Sequence, residues 1–264
     1  MDSTRELQGR VALVTGAGSG IGRATARLLA AQGARVGLFG RTEDELREIA
    51  KEIQAAGGQA DVLVGDVTKA DEVRARIDEL VDRAGGLHAV FANAGVNGVW
   101  APIEELKLED WQSTIAINLT GTFLTIKLAV PHMRRTGGAI VVCASVNGTR
   151  IFSNSGASAY ATSKAGQVAL AKMLAVELAR SRIRVNVICP GAIDTEIEEN
   201  TDRRDLAEVK VPVSYPRGSI PLTGREPGRA EQVADLVLFL TSDRSSHITG
   251  TEVWIDGGQS LVEG

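Results

Sequence analysis

The sequence predicts an α/β fold, a doubly wound and mainly parallel sheet of seven strands with helices on both faces. Short β-branched segments alternate with longer segments of helical period along nearly the whole chain of 264 residues. Glycine is abundant, at 29 residues, whereas aromatic residues make up only 4%. Because a parallel connection needs a crossover that a helix can supply, this alternation favours a parallel sheet covered on both sides.

The pattern of apolar residues in the first half of the chain predicts four strands and three helices. The first strand ends in a glycine-rich turn, and the helix that follows stops at Gly33, a residue suited to the position after a helix. Thr42 is the expected N-cap of the second helix, and a Gly-Gly pair closes it. The third helix has the same amphipathic period. We expect the strands at 11–15, 35–39, 61–64 and 87–92, and the helices at 21–32, 43–56 and 70–84.

The second half continues the alternation with longer helices. The first of these contains Trp111, Ile115, Leu119 and Phe123, whose four-residue spacing predicts burial of one face. We expect helices at 109–135, 157–180 and 231–240, and strands at 139–144, 184–189 and 251–255. Segment 192–221 has mixed charges, three prolines and no clear period, which is typical of a lid or mobile loop. We therefore predict one domain over 1–264 with a lid at about 192–221.

Composition and charge exclude several classes of function. The chain has 29 Lys and Arg against 33 Asp and Glu, a net charge of −4, which gives nucleic-acid binding no support. No apolar run approaches the roughly 20 residues of a membrane helix, and the polar start lacks a signal-peptide core. Two cysteines suggest a reducing compartment, and the histidines lack metal-ligand spacing. We expect a cytoplasmic protein without nucleic-acid, membrane or metal partners.

The turn TGAGSGIG at 15–22 lies between the first strand and the first helix. Glycines there allow a sharp turn and close approach of a ligand, and the helix N-terminus suits a pyrophosphate. The spacing is GxxxGxG rather than the GxGxxG fingerprint, and a tight connection without a ligand is the alternative. The turn resembles the cofactor-binding turn of the classical short-chain dehydrogenase/reductase (SDR) family, a Rossmann-type fold. The resemblance implies cofactor contacts from Gly16, Ser19, Gly20, Ile21 and Gly22.

A second group of residues suggests proton-transfer chemistry. Tyr160 and Lys164 lie four residues apart, on one face of a predicted helix. A lysine ammonium near a phenol stabilises the phenolate, so the tyrosine can exchange a proton with a substrate oxygen. Ser145 follows the fifth strand, at the sheet edge where ligands bind. Asn118 falls in mid-helix, where asparagine has poor propensity, and this suggests a role beyond local structure.

Ser145, Tyr160 and Lys164, joined by Asn118, resemble the catalytic tetrad of the same family, and the resemblance covers nearly the whole chain. Two departures are visible: the segment between the serine and the tyrosine is slightly longer than usual, and the motif after the fourth strand begins FANAG rather than NNAG. Further family motifs occur in order at Asp66-Val67, Asn93-Ala94-Gly95, Pro190-Gly191 with Ile193 and Thr195, and Asp256-Gly257-Gly258.

The resemblance implies hydride transfer between a nicotinamide cofactor and a carbonyl or secondary alcohol. Tyr160 would act as general acid and base, and Ser145 would orient the carbonyl. Lys164 would tune the tyrosine and bind the nicotinamide ribose, and Asn118 would hold a water for proton relay. Family members are usually tetramers that pair their two long helices, so a homotetramer is expected.

The end of the second strand bears on the choice of cofactor. A carboxylate at this point would hold the ribose 2′-hydroxyl of NAD, whereas arginine accommodates a 2′-phosphate. The strand ends in Gly40-Arg41 without a carboxylate, and arginine can bind phosphate through two parallel hydrogen bonds. We predict that NADP(H) is preferred, with NAD(H) as the alternative.

The substrate stays open between small carbonyls, sugars, cyclic alcohols and 3-oxoacyl thioesters. Trp100 and Ile151 are expected to flank the mouth of the substrate pocket. Two alternatives to a general carbonyl reductase remain: an acyl-carrier ketoreductase acting on 3-oxoacyl thioesters, and a non-redox or regulatory nicotinamide-binding protein on the same fold.

Overall fold

A computed structural model describes residues 5–209 and 214–263 of the chain. Segment 210–213, which belongs to the predicted lid, lies outside the described residues. In chain order, the strands are β1 Val11–Thr15, β2 Arg35–Gly40, β3 Gln59–Val64, β4 Ala89–Ala92, β5 Gly98–Trp100, β6 Gly138–Cys143, β7 Ile183–Pro190, β8 Ile193–Asp194, β9 Thr201–Arg203, β10 Gly228–Arg229 and β11 Glu252–Ile255.

Seven of these strands form one parallel sheet in the order β11-β7-β6-β4-β1-β2-β3. The prediction of a seven-stranded, doubly wound sheet is confirmed. The chain runs outward from β1 through β2 to β3, then returns to place β4 on the other side of β1. Such a reversal of strand order opens a crevice at the carboxyl ends of the strands, where open α/β sheets bind ligands.

The helices cover both faces of the sheet and create two apolar cores. One core contains Ile77, Ile126 and Val168 from three helices, and the other contains Leu29 and Val237. Burial of these side chains between helix and sheet is the main driving force for folding. The helices are α1 Gly20–Ala31, α2 Glu43–Ala55, α3 Ala70–Ala84, α4 Leu108–Ile115, α5 Gly121–Met133, α6 Ser158–Glu177 and α7 Ala230–Thr241.

The predicted helix at 109–135 is continuous but not uniform. A π-helical turn, Ala116–Thr120, separates α4 from α5 and contains Asn118. The predicted burial of one face is wrong: Phe123 is 42% exposed, and Trp111, Ile115 and Leu119 are only partly buried. The residues of α5 that are fully buried, among them Ile126 and Met133, lie on a different face, and this face packs against the core.

The helical segment Leu108–Met133 is long and apolar enough to cross a membrane by length and composition alone. Half of its most apolar window is buried inside the protein. Its buried residues, among them Ile126 and Met133, contribute to the apolar core. Burial against the sheet accounts for the apolar character of this helix.

The described part of the predicted lid is tied to the body of the domain. β9 pairs with β5, and β8 pairs with β10, to form two short parallel sheets that the sequence did not predict. Arg204 binds the carboxylate of Asp110 at 2.8 Å, and its backbone N–H donates to the carbonyl of Trp100. These contacts fix the segment after β8 beside the crevice.

Candidate active site

A cleft of about 510 Å³ opens at the carboxyl ends of β4, β6 and β7. It contains the side chains of Ser145, Tyr160 and Lys164, which the sequence predicts to act together. The other predicted site residues that line the cleft are Ile21, Asn93, Gly95, Pro190, Gly191, Ile193 and Thr195. Trp100 and Ile151 line it too, as the sequence analysis expected.

The glycine turn has a backbone that side chains would obstruct. Gly16 and Gly20 have φ angles of 64° and 48°, in the left-handed region that favours glycine. A Cβ on Gly22 would lie only 2.0 Å from the carbonyl oxygen of Gly16. Asn93 holds the turn from the neighbouring strand, because its Nδ2 donates to the carbonyls of Thr15 and Gly16 at 3.0 and 3.2 Å.

Helix α1 begins at Gly20, within this turn, with Ser19 as its N-cap. The Ser19 side chain makes no capping hydrogen bond, so N–H groups of the first helical turn remain available to an anion. Gly20 packs against Thr195, and a Cβ there would lie 3.1 Å from the Thr195 methyl. A glycine cradle with a helix N-terminus fits the pyrophosphate of a dinucleotide.

A second pocket, of about 130 Å³, lies on the other side of the glycine turn. Arg41, Asp66 and Val67 line it together with Gly16, Ala94 and Gly95. Burial acts to raise the pKa of Asp66, but two hydrogen bonds from Thr68 and the charge of Arg41 lower it below its usual value. Asp66 is therefore an ionised acceptor in a pocket sized for part of a nucleotide.

The Ser145 hydroxyl is oriented by the loop that follows it. Its Oγ accepts the backbone N–H of Asn147 at 3.1 Å, which leaves the hydroxyl proton available for donation. The serine is only 6% exposed and faces the cleft beside Tyr160. This geometry suits a donor to the oxygen of a bound carbonyl group.

Tyr160 and Lys164 project from one face of α6 into the cleft, and both are buried. The Lys164 Nζ lies 5.5 Å from the centre of the Tyr160 ring and donates to the carbonyl of Cys143 at 2.8 Å. Burial lowers the pKa of Lys164. The ring of Trp100 lies 6.5 Å from that of Tyr160 and forms part of the same wall.

Asn118 is fully buried and does not line the cleft. Its Oδ1 accepts the N–H of Val96 at 2.9 Å, and its Nδ2 donates to the Val96 carbonyl and to Ser163 Oγ. Its backbone carbonyl accepts hydrogen bonds from Thr122 and Gln167. Asn118 thus joins the segment after β4 to helix α6, and the water relay stays a prediction.

The motif at 256–258 braces the end of β7. Asp256 accepts the backbone N–H groups of Gly258 and Ser260, which shapes the turn after β11. Gln259 then accepts the N–H of Ala192 at 2.9 Å. A Cβ on Gly191 would collide with Asp256 and Gln259, so the two segments pack closely.

Several cleft residues were not singled out from the sequence as pocket or site residues. They share no motif: some adjoin predicted site residues in the sequence, and the fold brings the others in from other segments. The polar members of this group are Asn97, Asn147, Asn154, Asp194, Arg203 and Gln259.

Residues 16–260 match the family model described as enoyl-(acyl carrier protein) reductase. The chain is 38% identical to the 3-oxoacyl-[acyl-carrier-protein] reductase FabG of Thermotoga maritima, over 96% of this chain and 98% of that protein. It is 39% identical to the cis-4-hydroxycyclohexanecarboxylate dehydrogenase of Sinomonas cyclohexanicum, over 96% and 97% of the two chains. A solved 3-ketoacyl-ACP reductase from Sinorhizobium meliloti 1021 superposes with a TM-score of 0.91 and 54% identity, covering 95% of this chain and 99% of that one.

The chain belongs to the short-chain dehydrogenase/reductase family. It is an oxidoreductase that acts on CH–OH and carbonyl groups with a nicotinamide dinucleotide. Both the glycine cradle and the cleft fit that cofactor.

Proposed function

We propose that this protein is an NADP(H)-dependent reductase of a carbonyl substrate, or dehydrogenase of the matching secondary alcohol, with Tyr160 as general acid and base. One observation carries the proposal. Ser145, Tyr160 and Lys164 face one cleft whose lining also includes Ile21 of the glycine turn and Asn93, which holds that turn.

When bound, the nicotinamide supplies or accepts the hydride. The Ser145 hydroxyl, fixed by the backbone N–H of residue 147, donates a hydrogen bond to the substrate oxygen and orients the carbonyl. Tyr160 gives its phenolic proton to that oxygen during reduction and takes it back during oxidation. The Lys164 ammonium lies close to the Tyr160 ring and stabilises the phenolate that reduction leaves behind.

Replacement of Tyr160 by phenylalanine removes the transferable proton and keeps the ring that lies beside Trp100. We expect kcat to fall by about 10²–10⁴-fold, the usual contribution of a general acid. The measurement is cofactor absorbance at 340 nm with ketones, aldehydes, sugars and 3-oxoacyl thioesters. NADPH binding followed by fluorescence serves as the control and stays near that of wild type. Turnover by Y160F at the wild-type rate would contradict the proposed role.

Preference for NADP(H) is supported by Arg41, an exposed cation at the rim of the 130 Å³ pocket. Arg41→Ala is expected to lower kcat/KM with NADPH about tenfold or more, and with NADH by less than about threefold, because only NADPH carries the 2′-phosphate. Arg47→Ala is the matched control, since Arg47 is exposed and pairs with Glu43 on α2. Higher wild-type efficiency with NADH than with NADPH would overturn the preference.

We also propose a cytoplasmic homotetramer. Apolar side chains project from the two long helices: Phe123 from α5, and Met173 and Val176 from α6, the last two 73% and 81% exposed. Such residues on neighbouring helices are typical of a surface that pairs with a second copy. A monomer by light scattering would contradict this proposal. The two free, buried cysteines agree with a reducing compartment.

A second candidate is a 3-oxoacyl thioester reductase. It is supported by the names of the Thermotoga maritima and Sinorhizobium meliloti relatives. A clear preference for a 3-oxoacyl thioester over cyclic and linear ketones in the same screen would favour it. NADPH binding without turnover of any substrate would instead favour a regulatory or non-redox role.

A further inference from the structure

Two of the asparagine side chains that line the cleft are hydrogen-bonded to each other and have no part in the mechanism above. Asn147 lies two residues after Ser145, and Asn154 lies seven residues further on. The Nδ2 of Asn154 donates to the Oδ1 of Asn147 at 2.7 Å. Asn147 is partly exposed and Asn154 is exposed, so a ligand in the cleft can reach the pair.

The loop that presents Asn147 is held at both ends. Thr149 Oγ1 donates to the carbonyl of Ser145 at 2.8 Å and lies 3.3 Å from the indole nitrogen of Trp254, which donates to it. The Arg150 guanidinium stacks 3.6 Å from the centre of the Trp254 ring. A loop restrained in this way offers the Asn147 amide in one orientation before any ligand binds.

Glycine at position 148 makes this arrangement sterically possible. Gly148 has φ of 82°, and a Cβ there would lie 2.1 Å from the carbonyl oxygen of Ala161. The loop therefore lies directly on the first turn of α6, the helix that carries Tyr160. Asn147 is thus positioned by the same backbone that positions the reacting groups.

The hydrogen bond from Asn154 fixes which side of the Asn147 amide faces the cleft. Because Oδ1 is the acceptor in that bond, the two Nδ2 protons point away from it. Within residues 5–209 and 214–263, the bond from Asn154 is the one hydrogen bond that the Asn147 side chain makes, so its NH₂ group donates to no protein acceptor there. An oriented donor with no protein acceptor, beside the group that binds the reacting oxygen, is suited to binding a ligand oxygen.

We propose that Asn147, oriented by Asn154, binds a second oxygen atom of the substrate. The inference rests on the proposed function and narrows its substrate class. The substrate is then a ketone or secondary alcohol with a second acceptor, such as an ester, thioester or ketone carbonyl, a few bonds from the reacting carbon. The cleft is also lined by Trp100, Ile151 and Ile197, and these apolar side chains suit the carbon skeleton between the oxygens.

The test compares ethyl 3-oxobutanoate with 2-heptanone, and 1,4-cyclohexanedione with cyclohexanone. The members of each pair have a similar skeleton, and only the first of each pair has a second carbonyl group. Asn147→Asp keeps an acceptor for Asn154 and nearly the same shape, but removes the NH₂ donor. For the compounds with a second carbonyl group, we expect kcat/KM of the variant to be about 10–100-fold lower than that of wild type, mostly because KM rises. For the simple ketones we expect a change below about threefold.

Ser153→Ala is the matched control in the same loop. Ser153 is exposed, does not line the cleft, and donates to the carbonyl of Glu263. The substitution should leave kcat/KM unchanged for both members of each substrate pair. Asn154→Ala is a second variant, in which the Asn147 amide keeps its NH₂ donor but is no longer oriented by Asn154. We expect a smaller fall in kcat/KM, confined to the compounds with a second carbonyl group.

Equal losses for both members of a pair would show that Asn147 has only a structural role, and would overturn the proposal. Unchanged kinetics for all four compounds would overturn it as well. Both of these outcomes are measured on substrates that wild type turns over. Failure of the proposed function is a different result, in which NADPH binds but wild type turns over none of the substrates of the wider screen.

Discussion

Replacing Asn118 by alanine tests how the π-helical turn supports the site. The change removes three side-chain hydrogen bonds, two to the backbone of Val96 and one to Ser163. Each hydrogen bond contributes about 1 kcal/mol net to the free energy of unfolding, and its partner group would stay buried without another hydrogen bond. The expected loss is therefore about 3 kcal/mol in the free energy of unfolding. For a chain near this size that corresponds to a fall in Tm of roughly 6–12 °C.

The assay is thermal unfolding followed by circular dichroism, at one protein concentration, with kcat measured on the same samples. Gln112→Ala is the matched control, because Gln112 is an exposed side chain on α4 of the same long helix. A surface substitution of this kind changes stability by less than about 0.5 kcal/mol. A Tm for Asn118→Ala within about 2 °C of wild type would refute the assignment of these bonds as the tie between β4 and α6.

Two further predictions concern the cofactor cradle and the buried thiols. Gly22→Ala should abolish NADPH binding, because its Cβ would meet the Gly16 carbonyl oxygen at 2.0 Å. The control variant Gly18→Ala should bind NADPH normally, because its Cβ would meet only the side chain of Glu45, which can move. Burial raises the pKa of the Cys189 thiol to about 12, so the native protein should not react with a thiol reagent at pH 8. Since an unfolded thiol ionises near pH 9, this group also lowers the free energy of unfolding as pH rises from about 9 to about 12. Rapid labelling of the thiol in the native protein, or a free energy of unfolding that stays constant between about pH 9 and about pH 12, would contradict this prediction.

The central sheet and the motifs at its strand ends were predictable because their signals are local. A continuous apolar segment such as Val11–Thr15 specifies a buried strand without reference to the rest of the chain. The glycine turn and Asn93 follow strands that are neighbours in a parallel sheet. Their meeting at one edge is therefore a consequence of topology alone.

The remaining features depend on contacts between distant segments. The three-residue strands β5 and β9 have no periodic signal, and their pairing brings Arg203 beside Trp100 across about a hundred residues. Asn154 reaches Asn147 only because the longer segment before Tyr160 folds back over the cleft. The poor helix propensity of Asn118 did signal an unusual position, but not the π turn that contains it.

The π turn at Ala116–Thr120 lets this helix hold one residue more than a regular α-helix of the same length. Because a π turn advances less per residue than the roughly 100° of an α-helix, loss of one residue there would leave Leu108–Ile115 and Gly121–Met133 in nearly the same relative rotation. The side chains of both segments would then keep their directions, and the change would be confined to the turn. The additional residue thus alters the backbone only where Asn118 bonds to Val96 and Ser163.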